Sequence, residues 1–376
     1  MIRAIRGLVT IMLGVGVVSP MMHAAELTSG SETVFVMTNN ADKNEVIAYD
    51  RAGDGTFFES NRYDTEGRGS GGVSDPLGSQ GSLTLSPDHS LLFAANAGSG
   101  NVSVFRVHRG TLSLADKAPS GGSEPVAVAP TKDYVYVLNA GGDGSVVVFH
   151  FDNDGRFRQI KNSTVALTGS SSGGASITIS PDGQFLVVTE RISNNIDVFR
   201  IKADGTLAPI VVNASPAPGA FSAIFAPDGK LIVSETGPAG AVNASAVSSY
   251  LVRASGHLLT ITQSVPSFGA ANCWNVISPD GKRVYVSNSG TSTIAGFNIG
   301  DAGVLTPIGS TIVGSNPQGS ENLDIALSSD GKYMFTLNSG TGTLGVFAVQ
   351  KDGTLTNLDE VPGLPKAAGI NGIAAL

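Results

Sequence analysis

The chain has 376 residues, including 48 Gly and 18 Pro; only 14% are charged, and 31 Asp and Glu against 23 Lys and Arg give a formal net charge of -8. Such an acidic balance repels nucleic acid and anionic lipid, which bind basic patches, so neither is expected as a partner. Cys273 is the only cysteine, which excludes an internal disulfide and leaves the core to hold the fold.

At the N-terminus, Arg3 and Arg6 precede the apolar run Leu8 to Val18, followed by Ser19, Pro20 and the small pair Ala24-Ala25. This is the order of a secretory signal peptide. The apolar run is about eleven residues, short of the ~20 a membrane-spanning helix needs. The expectation is a signal peptide over residues 1–25, a single domain over 26–376, a periplasmic or secreted location and no membrane insertion. Removing the two arginines and no acid would move the formal charge from -8 to about -10.

Beyond residue 30 the chain repeats. Ser180-Pro181-Asp182-Gly183 is followed by Phe185 to Glu190, then Ile196 to Ile201, then Asp204-Gly205-Thr206-Leu207. Related copies start at Ser86, Ala226, Ser278 and Ser328, with a degenerate one at Ala129. The second apolar run of each unit ends at Asn39, Asn96, Asn139, Glu190, Glu235, Asn288 and Asn338, a spacing of roughly 50 residues that marks a repeat architecture. Each unit reads as four strands, because an apolar run stops at Pro-Asp-Gly, restarts, breaks at a small polar loop, restarts and breaks at Asp-Gly. A four-stranded sheet repeated radially is a propeller blade, and seven endings predict an all-β, seven-bladed propeller. The first unit lacks its opening strand. Gly369 to Ala375 matches Glu321 to Leu327, the opening strand of the previous unit, so the last strand is expected to complete blade one and close the ring.

In a propeller the strand 2–3 loops and the links between blades share one face, here called the top. The longest top-face segments are the link Tyr63 to Ser79 and the blade-five loop Thr236 to Val247, either of which could cover the central funnel. At the top of the first strands stand Ser82, Ser176, Ser222, Trp274 and Asp324, with Gln80, Glu124, Asn272, Glu321 and Asn371 beside them. The second-strand endings add amides, Asn288 among them, and the carboxylates Glu190 and Glu235. A polar concavity of this kind suits a polar small molecule. Asparagine at a strand end commonly shapes a turn, but a carboxylate replaces it poorly, which singles out Glu190 and Glu235. Arg191 is the strong cation near this rim. Trp274 is either a stacking platform or filler between blades.

No histidine falls on the top face, which argues against a Ser-His-Asp triad. Cys273 has no histidine neighbour in this reading, and no Cys/His cluster spells zinc. No cofactor is expected; a calcium ion held by rim carboxylates, amides and carbonyls stays open, without a dedicated loop. The chemistry within reach is carboxylate general-base catalysis with Arg191 or an amide stabilising an oxyanion.

Val284-Tyr-Val-Ser-Asn288 and Val135-Tyr-Val-Leu-Asn139, set after Pro-Asp-Gly and before Val-x-Val-Phe and Asp-Gly-x-Leu, resemble the lactonase family of seven-bladed propellers, which includes bacterial 6-phosphogluconolactonases and fungal carboxymuconate-lactonising enzymes. The resemblance covers residues 30 to 376. It implies an Arg-His pair and a glutamate for lactone chemistry. On the nearest blade, Gly219 to Gly229 followed by Ser234-Glu235, Glu235 matches that glutamate, whereas Phe221 stands at the arginine and Ser222 at the histidine. Gly174-Ala175-Ser176 likewise replaces the family's Pro-His-Gln. The resulting expectation is an exported lactonase-like hydrolase acting on a sugar-derived or aromatic-derived lactone. Its catalytic residues would be Glu235, Glu190 and Arg191, and its substrate contacts Ser222, Trp274, Asn272, Asp324, Glu124 and Asn288. The alternative is a non-catalytic propeller binding a ligand or protein through the same face. A closed ring of repeats can work alone, so a monomer is expected.

Overall fold

The computed structural model describes residues 32–151 and 156–376, so the expected signal peptide over 1–25 lies outside the described residues. The strands form seven antiparallel sheets, each in sequential order from inner to outer edge except the first. There Ile373–Ala375 is the innermost strand, paired with Thr33–Met37 through Val34 opposite Ala375 and Val36 opposite Ile373. Residues from the two ends of the described chain thus close the ring, as the matching C-terminal repeat predicts.

The second strands are buried on both faces, as in Tyr134–Asn139, Arg283–Asn288 and Tyr333–Asn338. Neighbouring blades cover both sides, which is why these segments are nearly continuous in apolar residues. Towards the outer edge the strands become mostly exposed, as in Phe57–Asp64. The core is divided into clusters seated between blades, such as Phe93, Val104, Val137 and Phe149 between the second and third.

The repeated Ser-Pro-Asp-Gly is a self-sufficient turn. Ser180 Oγ donates to Asp182 Oδ1 at 2.6 Å and accepts the Phe185 N–H at 2.9 Å, while the Gly183 N–H reaches the Ser180 carbonyl at 2.8 Å with φ of +69°. Only glycine enters that left-handed region without strain. The same bonds recur at Ser278-Asp280 and Ser328-Asp330. They hold the Asp182 and Asp280 carboxyls below the usual carboxylate range. Two blades depart from the pattern. The fourth strand of blade three is split into Phe157–Gln159 and Val165–Ala166 around Ser163, whose hydroxyl bonds both backbone groups of Val148. The innermost strand of blade two, Leu83–Leu85, starts late because Gln80 and Gly81 lead the chain across the centre of the ring.

Candidate functional site

The second-strand endings serve as latches between blades. Asn96 Oδ1 accepts from Thr65 Oγ1 at 2.8 Å, Asn288 Oδ1 from Ser267 Oγ at 2.9 Å, and Asn338 Nδ2 donates to Asn316 Oδ1 at 3.2 Å. Each partner lies on the link entering that blade. Glu190 and Glu235 follow the same geometry. Glu190 Oε1 accepts the Thr168 N–H at 2.8 Å, and its Oε2 accepts from the Thr168 and Ser193 hydroxyls and from Asn195. Glu235 Oε1 accepts from Ser248 at 2.7 Å and Ser215 at 3.2 Å. Both glutamates are fully buried, as is Asn288. Burial raises Glu190, but Ser193 and Thr168 more than offset it; burial dominates at Glu235 and pushes its carboxyl up. Neither lines the cavity described below, so neither meets Arg191 in a common site: the blade packing turns the strand ends sideways into the links.

The link Tyr63 to Ser79, continued by Gln80, fills the centre. Trp274 Nε1 donates to the Ser79 carbonyl at 2.9 Å, and Ser79 Oγ to the Val126 carbonyl at 2.9 Å. The Gln80 N–H reaches the Ala175 carbonyl at 2.9 Å, and its side chain accepts from Ser222 and donates to the Asn275 carbonyl at 2.8 Å. One segment therefore ties together the inner ends of blades three to six. Ser222 and Trp274 are wholly buried in these bonds, and Trp274 packs edge-on to Phe221 with ring centroids 5.2 Å apart. Trp274 is filler here, and neither residue faces an open cavity.

Above this plug lies a cavity of ≈ 690 Å³, on the face the topology marks as the top and inside the ~300–1,000 Å³ span of small-molecule sites. Its walls include Ser74 and Asp75 of the plug segment, Arg191, the loop Thr236 to Val242, Cys273 and Glu321. Both of the long top-face segments singled out by length contribute. The loop is pinned by Thr236 N–H to Gly219 O at 2.9 Å and Gly237 N–H to Pro218 O at 3.1 Å. At Gly237, φ is +79° and an added Cβ would sit 2.6 Å from the Ala244 carbonyl oxygen, so a side chain there is excluded.

Arg191 is exposed, following Glu190 in the turn between the second and third strands of blade four. Its guanidinium lies over the Phe221 ring, 5.9 Å from the centroid, and against Gly78, where an added Cβ would be 3.0 Å from Nη2. Among the described residues its head group makes no hydrogen bond or ion pair within bonding distance, leaving its donors open to the cavity. Asp75 accepts at Oδ1 from the Gly78 N–H at 3.0 Å and from Asn371 Nδ2 at 3.2 Å. Burial pushes its carboxyl up to about 6, against the pull of the Arg191 charge. Glu321 Oε2 accepts from Ser74 Oγ at 3.2 Å. The Cys273 thiol is raised well above its ordinary range, by burial first and by Asp75 second, which makes it a poor nucleophile.

The remaining expected contacts are dispersed. Asn272 is buried with Nδ2 on the Ala246 carbonyl at 2.9 Å. Asp324 is buried at the inner strand with its carboxyl pushed well up by burial, accepting the Ile325 N–H at 2.9 Å. Glu124 is exposed and stands outside the cavity wall. Sequence reasoning missed Asp75. The available signal was that it is the one acid between Gly67 and Gln80, inside the longest link. Among the described residues no group of three or more His, Cys, Asp or Glu could hold a metal, and no helix is long and apolar enough to cross a membrane.

Comparison with known proteins places this architecture. A model of the lactonase, 7-bladed β-propeller family matches residues 27–275 and 275–369. No curated protein matches the sequence. Among solved structures, a protein of Bacteroides uniformis provisionally assigned as a 6-phosphogluconolactonase is 18% identical, with TM-score 0.71, over 93% of this chain and 100% of that one. A Bacteroides fragilis protein with the same provisional assignment is 19% identical, with TM-score 0.71, over 95% and 100%. The periplasmic gluconolactonase of Pseudomonas aeruginosa is 19% identical, with TM-score 0.64, over 91% and 99%. At these identities the structures establish the shared fold, and the match along nearly the whole chain establishes the family: the protein belongs to the seven-bladed β-propeller lactonases.

Proposed function

We propose that the top-face cavity opens a lactone ring by hydrolysis, with Asp75 as general base and Arg191 as the group that polarises the carbonyl and holds the oxyanion. The observation that carries this reading is an unpaired guanidinium, fixed on Phe221 and Gly78, beside a carboxylate raised to about 6. A base titrating close to the working pH is ionised yet strong enough to take a proton. Water would add to the carbonyl carbon while giving its proton to Asp75. Collapse of the tetrahedral intermediate breaks the ring C–O bond, and the leaving oxygen takes that proton back, giving a hydroxy acid. Arg191 bears the developing charge, a role in which one well-placed donor is worth roughly 10²–10³ in kcat. The family supports the reaction class, and the sequence of residues 1–25 supports a periplasmic or secreted setting.

A second reading, ligand binding without turnover, is favoured by one observation: Phe221 and Ser222, at the positions where the family resemblance puts arginine and histidine, are fully buried and present no acid or base. A pH-indicator assay of the purified protein over a panel of lactones separates the two. Acid release above the spontaneous rate, rising with pH through about 6 and reduced by roughly 10²-fold or more in Asp75→Asn, is the expected result. Silence from folded protein across the panel selects the binding role.

A further inference from the structure

We infer that the cavity takes an uncharged lactone carrying an apolar alkyl or aryl substituent, in preference to polyhydroxylated or phosphorylated sugar lactones. This rests on the proposed lactone chemistry for its reacting end and on the rest of the cavity for its specificity. The wall beyond Asp75 and Arg191 is built from apolar and small groups, with Pro218, Pro238, Ala241, Val242, Ala271 and Leu323 prominent.

The donor hydrogens of three wall hydroxyls that could have met a sugar are already committed. Thr236 Oγ1 donates to the Gly237 carbonyl at 3.2 Å, Ser289 Oγ to the Ala271 carbonyl at 3.3 Å, and Ser74 Oγ to Glu321 at 3.2 Å. A sugar lactone would bring several hydroxyl groups against a wall that, beyond Arg191 and the acids beside it, is mostly apolar and small, and each one stripped of water without a partner weakens binding. Charge argues the same way against phosphate. Among the described residues Arg191 is the only Lys or Arg on the wall, and the acidic side chains of Asp75 and Glu321 stand with it, so a dianion would meet one cation set among two acidic groups. Phosphate sites assemble several cations or backbone N–H groups instead.

Val242 extends the apolar surface outward. Among the described residues ten large hydrophobic side chains are exposed, and four of them are Val73, Ile192, Val242 and Phe268, at 64%, 65%, 74% and 56%. Val242 lines the cavity, and the other three are within two residues of wall residues Ser74, Arg191 and Ala270. An apolar tail leaving a ring held at Arg191 would cover Val242, and the contact grows with tail length.

The experiment uses lactams, the non-hydrolysable ring amides, so that binding is read apart from turnover. Calorimetric titration of the protein with γ-lactams bearing ethyl, butyl, hexyl and phenyl groups, with gluconolactam, and with a phosphorylated sugar lactam, is expected to show binding of the apolar series only. Affinity should rise about fourfold per added methylene, equivalent to about 0.8 kcal/mol, until the tail fills the cavity. Val242→Ser, a change on an exposed loop that should leave folding intact, is expected to flatten that rise. Equal or tighter binding of either sugar lactam overturns the inference, as does failure of every lactam to bind. The matching lactones are then assayed for hydrolysis: a chain-length-dependent affinity without hydrolysis retains the specificity and sinks the catalytic reading, whereas hydrolysis confined to sugar lactones does the reverse.

Discussion

Two sets of acidic side chains lie near the top of this propeller, and they differ in what their neighbours leave them free to do. Glu190 and Glu235 sit on the repeat, at the positions where other blades have asparagine, and both are fully buried; Glu190 has donors on both oxygens, whereas Glu235 holds Ser248 and Ser215 on Oε1 and its Oε2 is buried without a partner among the described residues. Asp75 sits off the repeat, on a segment that crosses the ring, and both of its hydrogen bonds fall on Oδ1. Carboxylates closed in among the blades, away from any cavity, hold structure together; one that faces a cavity beside an open guanidinium can do chemistry. Where a fold repeats, its departures from the repeat are the better guide to function.

The sharpest way to break this contrast is to remove the cation beside Asp75 in one variant and a strand-end carboxylate in another, and measure turnover on a lactone that the protein opens. Arg191→Met is expected to lower kcat/KM by roughly 10²–10³, while Glu235→Gln leaves it unchanged. The opposite pattern would move the site back to the strand endings, where the sequence alone points. A smaller effect sharpens the scaffold side. Asp197 is buried beside Glu190, and its carboxyl is pushed up to about 8, by burial first and by the Glu190 charge second. A carboxyl raised in the folded state keeps its proton there while the unfolded chain has lost it. The stability this contributes is present below about pH 4 and declines as the pH rises towards 8. Asp197→Asn should therefore flatten the fall in denaturation midpoint between pH 5 and 9; an unchanged slope would mean that Asp197 is ionised throughout. The smallest expected effect is at a turn. Ser180→Ala removes the bonds to Asp182 and to the Phe185 N–H and should cost about 1–2 kcal/mol in denaturant unfolding with no change in kcat/KM.

Much of the scaffold was legible because its signals are local. Ser-Pro-Asp-Gly closes its own hydrogen bonds within six residues, so each copy announces a turn wherever it lies. The missing first strand and the surplus last one match in sequence because they occupy equivalent places in the ring. The strand endings were located correctly along the chain but not in direction. Whether a strand-end side chain faces the funnel or the neighbouring link depends on how one sheet is set against the next, and strand periodicity carries no record of that. Trp274 and Ser222 were placed near the funnel for sound topological reasons, yet Ser79 and Gln80 arrive from 195 and 142 residues away in sequence and cover them.

Seven repeats, their turns and the closure of the ring follow from the amino-acid order alone, because each depends on hydrogen bonds and apolar runs within one unit or on a match between units. The length and glycine content of the Tyr63 to Ser79 link likewise mark it as exceptional. That this link fills the central channel, that Arg191 is propped on Phe221 and Gly78, and that Asp75 is desolvated beside it are set by contacts among blades one, two, four and five. Those contacts exist only once the ring has closed.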